Sequence, residues 1–266
     1  MVDAALISLC LQVLLTMTDI PRDHPRYQSL VTREMLVKGV RDGITSMQGL
    51  IAHGRGEAFD YLLGEKTTAP ALGAEKAAVA MLLLARNPVV SVNGNAAALA
   101  APEMVALAKE VNAGVEVNLF HRTEERVGKI AGLLRSNGCE PLGVHPDRLI
   151  PGLSHDRAKA SSEGIFTADV VLVPLEDGDR CEALVKMGKK VIVVDLNPLS
   201  RSARTATVTI VDNIVRALPN MVKLAEEMKS LPRPELEKIA GGFSNETALS
   251  AALDAMMETV QSSKQH

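Results

Sequence analysis

The stretch ADVVLVPLEDGDRCEALVKMGKKVIVVDL, residues 168–196, decides the fold. It holds two β-branched runs, 168–175 and 189–196, that are apolar on both sides of their alternation, which is typical of strands buried on both faces of a sheet. Between them, residues 177–188 have the spacing of a short amphipathic helix, and Gly188 follows its end. A strand, a helix and a strand in this order predict a right-handed crossover between two parallel strands.

Three further runs of the same kind extend this pattern. They are PVVSVNG at 88–94, VEVNLF at 115–120 and TVTIVDN at 207–213. Helical spacing links the first run to the second, and it also covers residues 27–86 and the chain after Asn220. We therefore expect an α/β fold with a mostly parallel, doubly wound sheet and helical N- and C-terminal segments.

The composition excludes several classes of protein. Of 266 residues, 47% are hydrophobic and 23% are charged, so the chain is not disordered. A net charge of -3, no Trp, two Tyr and four Phe argue against a nucleic-acid partner and predict an aliphatic core. Cys10, Cys139 and Cys181 have no metal or disulfide spacing, which favours a reducing, cytoplasmic location.

The first residues differ from the rest. Residues 4–16 are mostly apolar, but they are too few to span a bilayer and lack the basic start of a signal peptide. We interpret residues 1–16 as an N-terminal extension, with natural initiation at Met17. Residues 17–266 are then expected to form a single α/β domain without a membrane partner.

Polar side chains follow every predicted strand, and ligands of an open parallel sheet bind at that edge. Each polar residue alone could equally be a helix N-cap. The glycine fingerprints for dinucleotides and for nucleoside triphosphates do not occur at the predicted strand-to-helix turns. Arginines and helix N-termini would have to hold phosphate instead.

The segment AHGRGEAFDYLLGE, residues 52–65, places two glycines inside a helical pattern. Gly54 and Gly56 could mark a close approach of the backbone to a ligand, with Arg55 between them as an anion contact. The alternative is a helix start after a tight turn with a solvated Arg55. His53 could act as a base, or it could be a structural histidine.

Several long strings together resemble the archaeal phosphopantothenate synthetase family, the 4-phosphopantoate–β-alanine ligases of archaeal coenzyme A biosynthesis. The strings are IPRDHPRYQSLVTRE (20–34), GLIAHGRGEAFDYLLGE (49–65), NPVVSVNGN (87–95), EVNLFHRTEER (116–126), VVLVPLEDGDR (170–180) and VIVVDLNPLSRSARTATVTIVDN (191–213). The resemblance spans about residues 20–229 and leaves out the residues before Met17.

The resemblance implies a Rossmann-like fold, a homodimer, and an ATP-dependent condensation of 4-phosphopantoate with β-alanine. The products would be 4'-phosphopantothenate, AMP and diphosphate, formed through a phosphopantoyl adenylate. It also implies a set of ATP contacts. These are Arg33, Arg55, Asp195, Leu196, Asn197, Arg201, Ser202, Asn213 and Ile214. The general base is left open, with His53, Arg55 and Asp195 as the candidate catalytic residues.

Further candidates follow from the chemistry of these substrates. Arg22 and Arg26 could bind the phosphate of phosphopantoate. Asn93, Asn95 and Arg122 could bind its hydroxyl and carboxylate groups. Mg²⁺ prefers carboxylate oxygens and water, and its candidate ligands are Glu57, Asp177 and Asp179. Glu57 could instead form a surface ion pair, and the two aspartates could cap the following helix.

Two other functions stay open at this stage. A nicotinamide-dependent oxidoreductase could use the same sheet, although its glycine fingerprint is missing. A non-catalytic nucleotide-sensing module would bind ATP without turning it over. Binding of NAD(P) or of ATP without product would distinguish these functions from a ligase.

Overall fold

A computed structural model of the chain describes residues 20–263. The expected extension at residues 1–16 and the expected start at Met17 lie outside the described residues. The strands are β1 (Pro88–Val92), β2 (Gly114–Val117), β3 (Arg148–Leu149), β4 (Lys159–Ala160), β5 (Val170–Pro174), β6 (Lys190–Val194) and β7 (Val208–Ile210). The five predicted strands are thus confirmed, as β1, β2, β5, β6 and β7.

Helices precede the first strand, lie between most of the strands and follow the last strand along the chain. The helices are α1 (Tyr27–Arg41), α2 (Met47–Leu63), α3 (Ala69–Leu84), α4 (Gly94–Glu110), α5 (Glu124–Ser136), α6 (Gly178–Lys186), α7 (Arg201–Thr205), α8 (Ile214–Met228), α9 (Arg233–Gly241) and α10 (Asn245–Ser263). The predicted α/β class with helical segments at both ends is confirmed. None of the helices in the described part of the chain is both long enough and apolar enough to cross a membrane.

The five long strands form one parallel sheet in the order β2-β1-β5-β6-β7. Alternate side chains enter two different hydrophobic clusters. Val90, Leu172 and Ile192 pack with α3, α4 and α8, whereas Val171 and Val193 pack on the opposite face with α6 and the segment between α5 and β5. Burial on both faces explains why each strand reads as a nearly continuous apolar run.

The strand order creates a crevice at one edge of the sheet. The chain leaves β1 for β2 on one side and returns to β5 on the other side of β1. At this switch point the connections from β1 and β5 run in opposite directions and separate, so a ligand can enter between the carboxyl ends of the two strands. The fold therefore places its natural binding site at the ends of β1 and β5.

Candidate active site

A cavity of about 620 Å³ lies at the carboxyl edge of the sheet. Segments that follow β1, β2, β5, β6 and β7 contribute to its wall, and α2 closes one side. Twelve of the candidate site residues named in the sequence analysis form part of the cavity wall. They are His53, Arg55, Asn93, Asn95, Asp177, Asp195, Leu196, Asn197, Arg201, Ser202, Asn213 and Ile214. The structure thus brings together residues as far apart in the chain as His53 and Ile214.

The turn after β6 is organised by Asp195. Its Oδ1 accepts a hydrogen bond from the amide of Asn197 at 2.9 Å, and its Oδ2 accepts one from the Ser200 hydroxyl. Ser200 in turn caps α7 by accepting the amide of Ala203 at 2.9 Å. Burial raises the pKa of the Asp195 carboxyl. Both carboxylate oxygens therefore have internal partners, and Asp195 holds the shape of the turn.

Ser202 ties the β6 turn to the end of β5. Its buried hydroxyl donates to the carbonyl of Glu176 at 2.6 Å. The absence of a side chain at Gly178 lets the two segments pack closely, because a Cβ there would lie 2.5 Å from Arg201 Nε. Arg201 and Ser202 are therefore packed against the first turn of α6.

Asn213 caps α8 and reaches across to α2. Its Oδ1 accepts the amide of Val215 at 3.3 Å, and its Nδ2 donates to Asp60 Oδ2 at 2.8 Å. Its role as an N-cap, one of the two alternatives for such residues, is what the structure shows. Asn93 is a second example, because its Oδ1 accepts the amide of Ala96 at 3.0 Å at the start of α4.

Helix α2 carries the segment with the two glycines through its middle. His53, Arg55 and Gly56 face the cavity, and a Cβ on Gly56 would lie 3.5 Å from Leu196. Burial lowers the pKa of His53, and its Nε2 has no hydrogen-bond partner among the described residues. Arg55 is exposed and forms no ion pair within residues 20–263, so its charge is available to an anion.

The floor of the cavity holds a group that sequence reasoning missed. Glu176 Oε1 accepts from Arg157 and its Oε2 accepts from Arg180, which also contacts Ser91. All three charged side chains are buried. Two guanidinium groups therefore share one carboxylate, and the group keeps one net positive charge beneath the switch point.

Arg157 reaches this floor from the segment between α5 and β5. Asn118, at the end of β2, holds that segment by donating to the carbonyls of Arg157 and Lys159, the latter at 2.8 Å. Buried Glu116 adds bonds to the amides of Ser161 and Ile165. The sequence shows that β2 ends in polar residues, but it does not show which backbone groups Asn118 would contact.

Arg126 is a second cation that the sequence analysis missed. It lines the cavity from the first turn of α5, and its guanidinium donates to the carbonyls of Ile44 at 2.8 Å and His121 at 2.9 Å. Burial, and next the charge of Arg157, lower the pKa of Arg126. The charge of Arg157 contributes to this shift after burial, and an anion bound between the two cations would relieve their repulsion.

Six selected residues lie outside the cavity wall: Arg22, Arg26, Arg33, Glu57, Arg122 and Asp179. Arg33 pairs with Glu57 at 3.0 Å, and Arg26 and Arg33 both donate to the hydroxyl of Tyr61. Arg26 and Glu57 line a separate cavity of about 150 Å³. Arg22 is exposed and precedes α1.

Two of these six contact the segment between α5 and β5, residues 137–169, which we call the inserted segment. Arg122 donates to the carbonyls of Gly143 at 2.7 Å and Val144 at 2.9 Å, so it tethers backbone instead of facing the cavity. Asp179 contacts His155 Nε2 at 2.9 Å from the first turn of α6. The surface ion pair for Glu57 and a place at a helix start for Asp179 are the arrangements that the structure shows.

The three selected magnesium ligands do not form a cluster. Within the part of the chain that the structure describes, no group of three or more His, Cys, Asp or Glu side chains is arranged to hold a metal ion. Only Asp177 of the three lines the main cavity.

Comparison with known proteins connects this site to a family. The family model described as phosphopantothenate/pantothenate synthetase matches residues 70–259. The chain is 60% identical over 243 residues to a protein of Methanosarcina mazei named 4-phosphopantoate–β-alanine ligase, covering 91% of this chain and 96% of that relative.

Two further relatives carry the same name. One, from Thermococcus kodakarensis, is 60% identical over 239 residues and covers 89% of this chain and 92% of its own length. Another, from Methanospirillum hungatei, is 57% identical over 209 residues, which are 79% of this chain and 86% of its own. The resemblance read from the sequence strings is confirmed. The chain belongs to the phosphopantothenate/pantothenate synthetase family.

Proposed function

We propose that this protein is an ATP-dependent ligase that joins 4-phosphopantoate to β-alanine in coenzyme A biosynthesis. The observation that carries the proposal is the 60% identity, over 91% of the chain, to a relative named for this reaction. The position of the cavity at the carboxyl edge of a parallel sheet supports it, because open α/β sheets bind their ligands at that edge.

We place ATP on the loops after β6 and β7, opposite Arg55 of α2. Asp195, Asn197 and Ser202 surround one side of that space, and the first turn of α8 closes the other. Arg55 is exposed and has no ion-pair partner among residues 20–263, which supports a contact with phosphate, for which arginine offers two parallel donors. Arg33 is paired with Glu57 and would have to leave that ion pair to contact ATP. We therefore propose that Arg33 contacts ATP only after the nucleotide has bound.

The proposed chemistry proceeds in two steps. A carboxylate oxygen of phosphopantoate attacks the α-phosphorus of ATP, and the bond from that phosphorus to diphosphate breaks. The amine of β-alanine then attacks the acyl carbon of the adenylate. AMP leaves with the former carboxylate oxygen, and the amine gives up a proton as the amide forms.

Charge repulsion is the main obstacle to the first step. Two unit charges 4 Å apart repel each other by about 4 kcal/mol at an effective dielectric constant near 20. The cavity offers Arg55, Arg126, Arg157 and Arg201 to offset this repulsion. Fixed cations in a partly enclosed site stabilise the charge that develops in the transition state.

We propose that Mg²⁺ accompanies the ATP phosphates. A magnesium ion held by phosphates needs only one or two protein carboxylates, and Asp177 is the selected carboxylate that faces the cavity. The ion would supply charge neutralisation between the phosphate oxygens. This arrangement is consistent with the absence of a ready metal cluster among residues 20–263.

We further propose a cytoplasmic homodimer. Met47 and Ile51 lie one helical turn apart on α2 and are 64% and 70% exposed. Leu62 extends the exposed apolar surface toward the end of the same helix. Large exposed apolar side chains in one patch are typical of an interaction surface.

Product analysis tests the function. Purified protein is incubated with Mg-ATP, 4-phosphopantoate and β-alanine, and the products are separated by chromatography. We expect 4'-phosphopantothenate and AMP in equal amounts. ADP in place of AMP would keep the ligase but replace the adenylate by an acyl phosphate. ATP binding without product would favour a nucleotide-sensing module, and NAD(P) binding would favour an oxidoreductase.

A further inference from the structure

Arg157 has an unusual environment for a charged side chain. The residue is only 7% exposed, yet it lines the cavity, and its Nε is buried with no hydrogen-bond partner in the described part of the chain. One of its terminal nitrogens, Nη1, is bonded to Glu176, and the other, Nη2, forms no hydrogen bond to a residue within 20–263. A buried guanidinium with unused donors is costly unless a ligand completes it.

The charge around Arg157 fits a single negative charge. Arg157 and Arg180 share the one carboxylate of Glu176, which leaves one positive charge on this group. Asp177 Oδ2, 3.5 Å from Arg157 Nε, cancels this positive charge, and the neighbouring Arg126, whose pKa the charge of Arg157 helps to lower, restores it. A dianionic phosphate would need more positive charge than this, whereas a carboxylate matches it and can accept two parallel N–H bonds.

The position of Arg157 fits the last substrate to react. The nucleotide loops follow β6 and β7, and the switch point lies between β1 and β5. Asn118, at the end of β2, holds the backbone of Arg157 on the far side of the switch point from the nucleotide, and the guanidinium reaches Glu176 at the switch point itself. The amine adds to one face of the planar acyl group before AMP leaves, so its carboxylate needs a site beside that group and outside the nucleotide loops, and Arg157 offers one.

The surroundings also remove water from this guanidinium. Phe120 follows β2 and its ring lies 5.9 Å from the Arg157 guanidinium carbon. The same ring lies 4.9 Å from the His155 ring. Such a cover strengthens an ion pair between Arg157 and a bound anion, because the effective dielectric constant falls as water leaves.

We propose that Arg157 binds the carboxylate of the amino-acid substrate and thereby selects an amine that carries a carboxylate at its other end. This inference rests on the proposed ligase function. It assigns the amine subsite to the β2 side of the cavity and leaves the nucleotide on the β6 and β7 side.

The test compares Arg157→Gln and Arg157→Lys with the wild-type protein. KM is measured separately for β-alanine, 4-phosphopantoate and ATP, with the other two saturating, and β-alaninamide replaces β-alanine as an amine without a carboxylate. We expect Arg157→Gln to raise the KM for β-alanine about 10- to 100-fold with little change in the other two KM values. The preference for β-alanine over β-alaninamide should fall by a similar factor.

Arg148→Gln is the matched control, because Arg148 is exposed, belongs to the same inserted segment and lies outside the cavity wall. Its three KM values should equal those of the wild type. Arg157→Lys keeps the charge beside Glu176 and serves if Arg157→Gln fails to fold; it should recover part of the preference for β-alanine.

The outcomes separate the two proposals. If the wild-type protein forms no AMP with these substrates, the ligase proposal fails and the inference fails with it. If the wild type is active and Arg157→Gln or Arg157→Lys keeps the full preference for β-alanine, the ligase stands and the inference is wrong. A rise confined to the KM for 4-phosphopantoate would also overturn the inference, since Arg157 would then bind the other anion.

Discussion

The side-chain amide of Asn213 donates a hydrogen bond of 2.8 Å to Asp60 Oδ2, and this bond joins the residue before α8 to the last turn of α2. Arg216, one turn further along α8, contacts Asp60 Oδ1 at 2.5 Å and Asp212 Oδ1 at 2.6 Å. Asp60 and Asp212 are buried, so these bonds are shielded from water. Because α2 and Asn213 both form cavity wall, the network connects the stability of the fold to the shape of the site.

Asp60→Asn tests that connection. The variant keeps the size of the side chain but removes the charge that Arg216 and Asn213 contact, so we expect the free energy of unfolding to fall by about 1–3 kcal/mol. The KM for ATP should rise as well. Urea unfolding and steady-state kinetics measure the two effects. Asp42→Asn, which removes an exposed ion pair with Lys38, should change stability by less than about 1 kcal/mol.

Arg55→Ala separates nucleotide binding from folding. Arg55 is exposed and unpaired within the described residues, so its loss should leave the unfolding free energy within about 0.5 kcal/mol of the wild type. We expect the affinity for ATP, measured by calorimetry, to fall about 10- to 100-fold. Arg86→Ala is the control, since Arg86 is 94% exposed beside the amino end of β1, far from the cavity. Equal ATP affinity in the two variants would remove Arg55 from the site.

A buried carboxyl makes stability depend on pH. Glu75 on α3 is fully buried, and burial, followed by the charge of Asp212, raises the pKa of Glu75 to about 8. The unfolded chain has its ordinary value near 4.5. Between these two values the native protein holds a proton that the unfolded chain has released. The stability contributed by this group is therefore fully present below about pH 4.5 and is lost as the pH rises toward 8.

Glu75→Gln should abolish that part of the pH dependence. Glutamine mimics the protonated carboxyl, so we expect the variant to match the wild type near pH 5 and to be more stable near pH 8.5. The difference should reach several kcal/mol, since each pKa unit corresponds to about 1.4 kcal/mol. Urea midpoints at both pH values measure it. A variant less stable than the wild type at pH 8.5 would show that the charged carboxyl is not penalised in the fold.

The sheet and the edge that carries the cavity could be predicted because both depend on short-range sequence. Both the odd and the even positions of residues 168–175 and 189–196 are mostly apolar, because other elements cover both faces of β5 and β6. Parallel strands bring their carboxyl ends to one edge, so the polar residues after each strand were expected to meet. Asn93 and Asp195 do meet in one cavity wall.

The floor of the cavity could not be predicted because long-range contacts decide it. Arg157 lies in a segment without periodicity, and Asn118, at the end of β2, positions it through backbone carbonyls. Arg122 shows the opposite case. It follows β2 as a site residue would, but its guanidinium turns to the carbonyls of Gly143 and Val144. The spacing of residues along the chain does not predict which groups the side chains of Asn118 and Arg122 contact.

Two glycines of α2 offer a matched pair of variants. A Cβ on Gly54 would have no heavy atom of the described residues within 4 Å, and Gly54 does not line the cavity. Gly56 does line it, and a Cβ there would lie 3.5 Å from Leu196. Both residues lie inside the helix, so Gly54→Ala and Gly56→Ala should each raise the unfolding free energy by about 0.5–1 kcal/mol.

Their effects on the nucleotide should differ. We expect Gly54→Ala to leave the KM for ATP unchanged and Gly56→Ala to raise it several-fold, because the added methyl group narrows the cavity beside Leu196. Thermal unfolding confirms the common gain in stability, and steady-state kinetics detects the difference. An unchanged KM for ATP in both variants would mean that the nucleotide does not lie against this face of α2, and the placement of ATP opposite Arg55 would then be wrong.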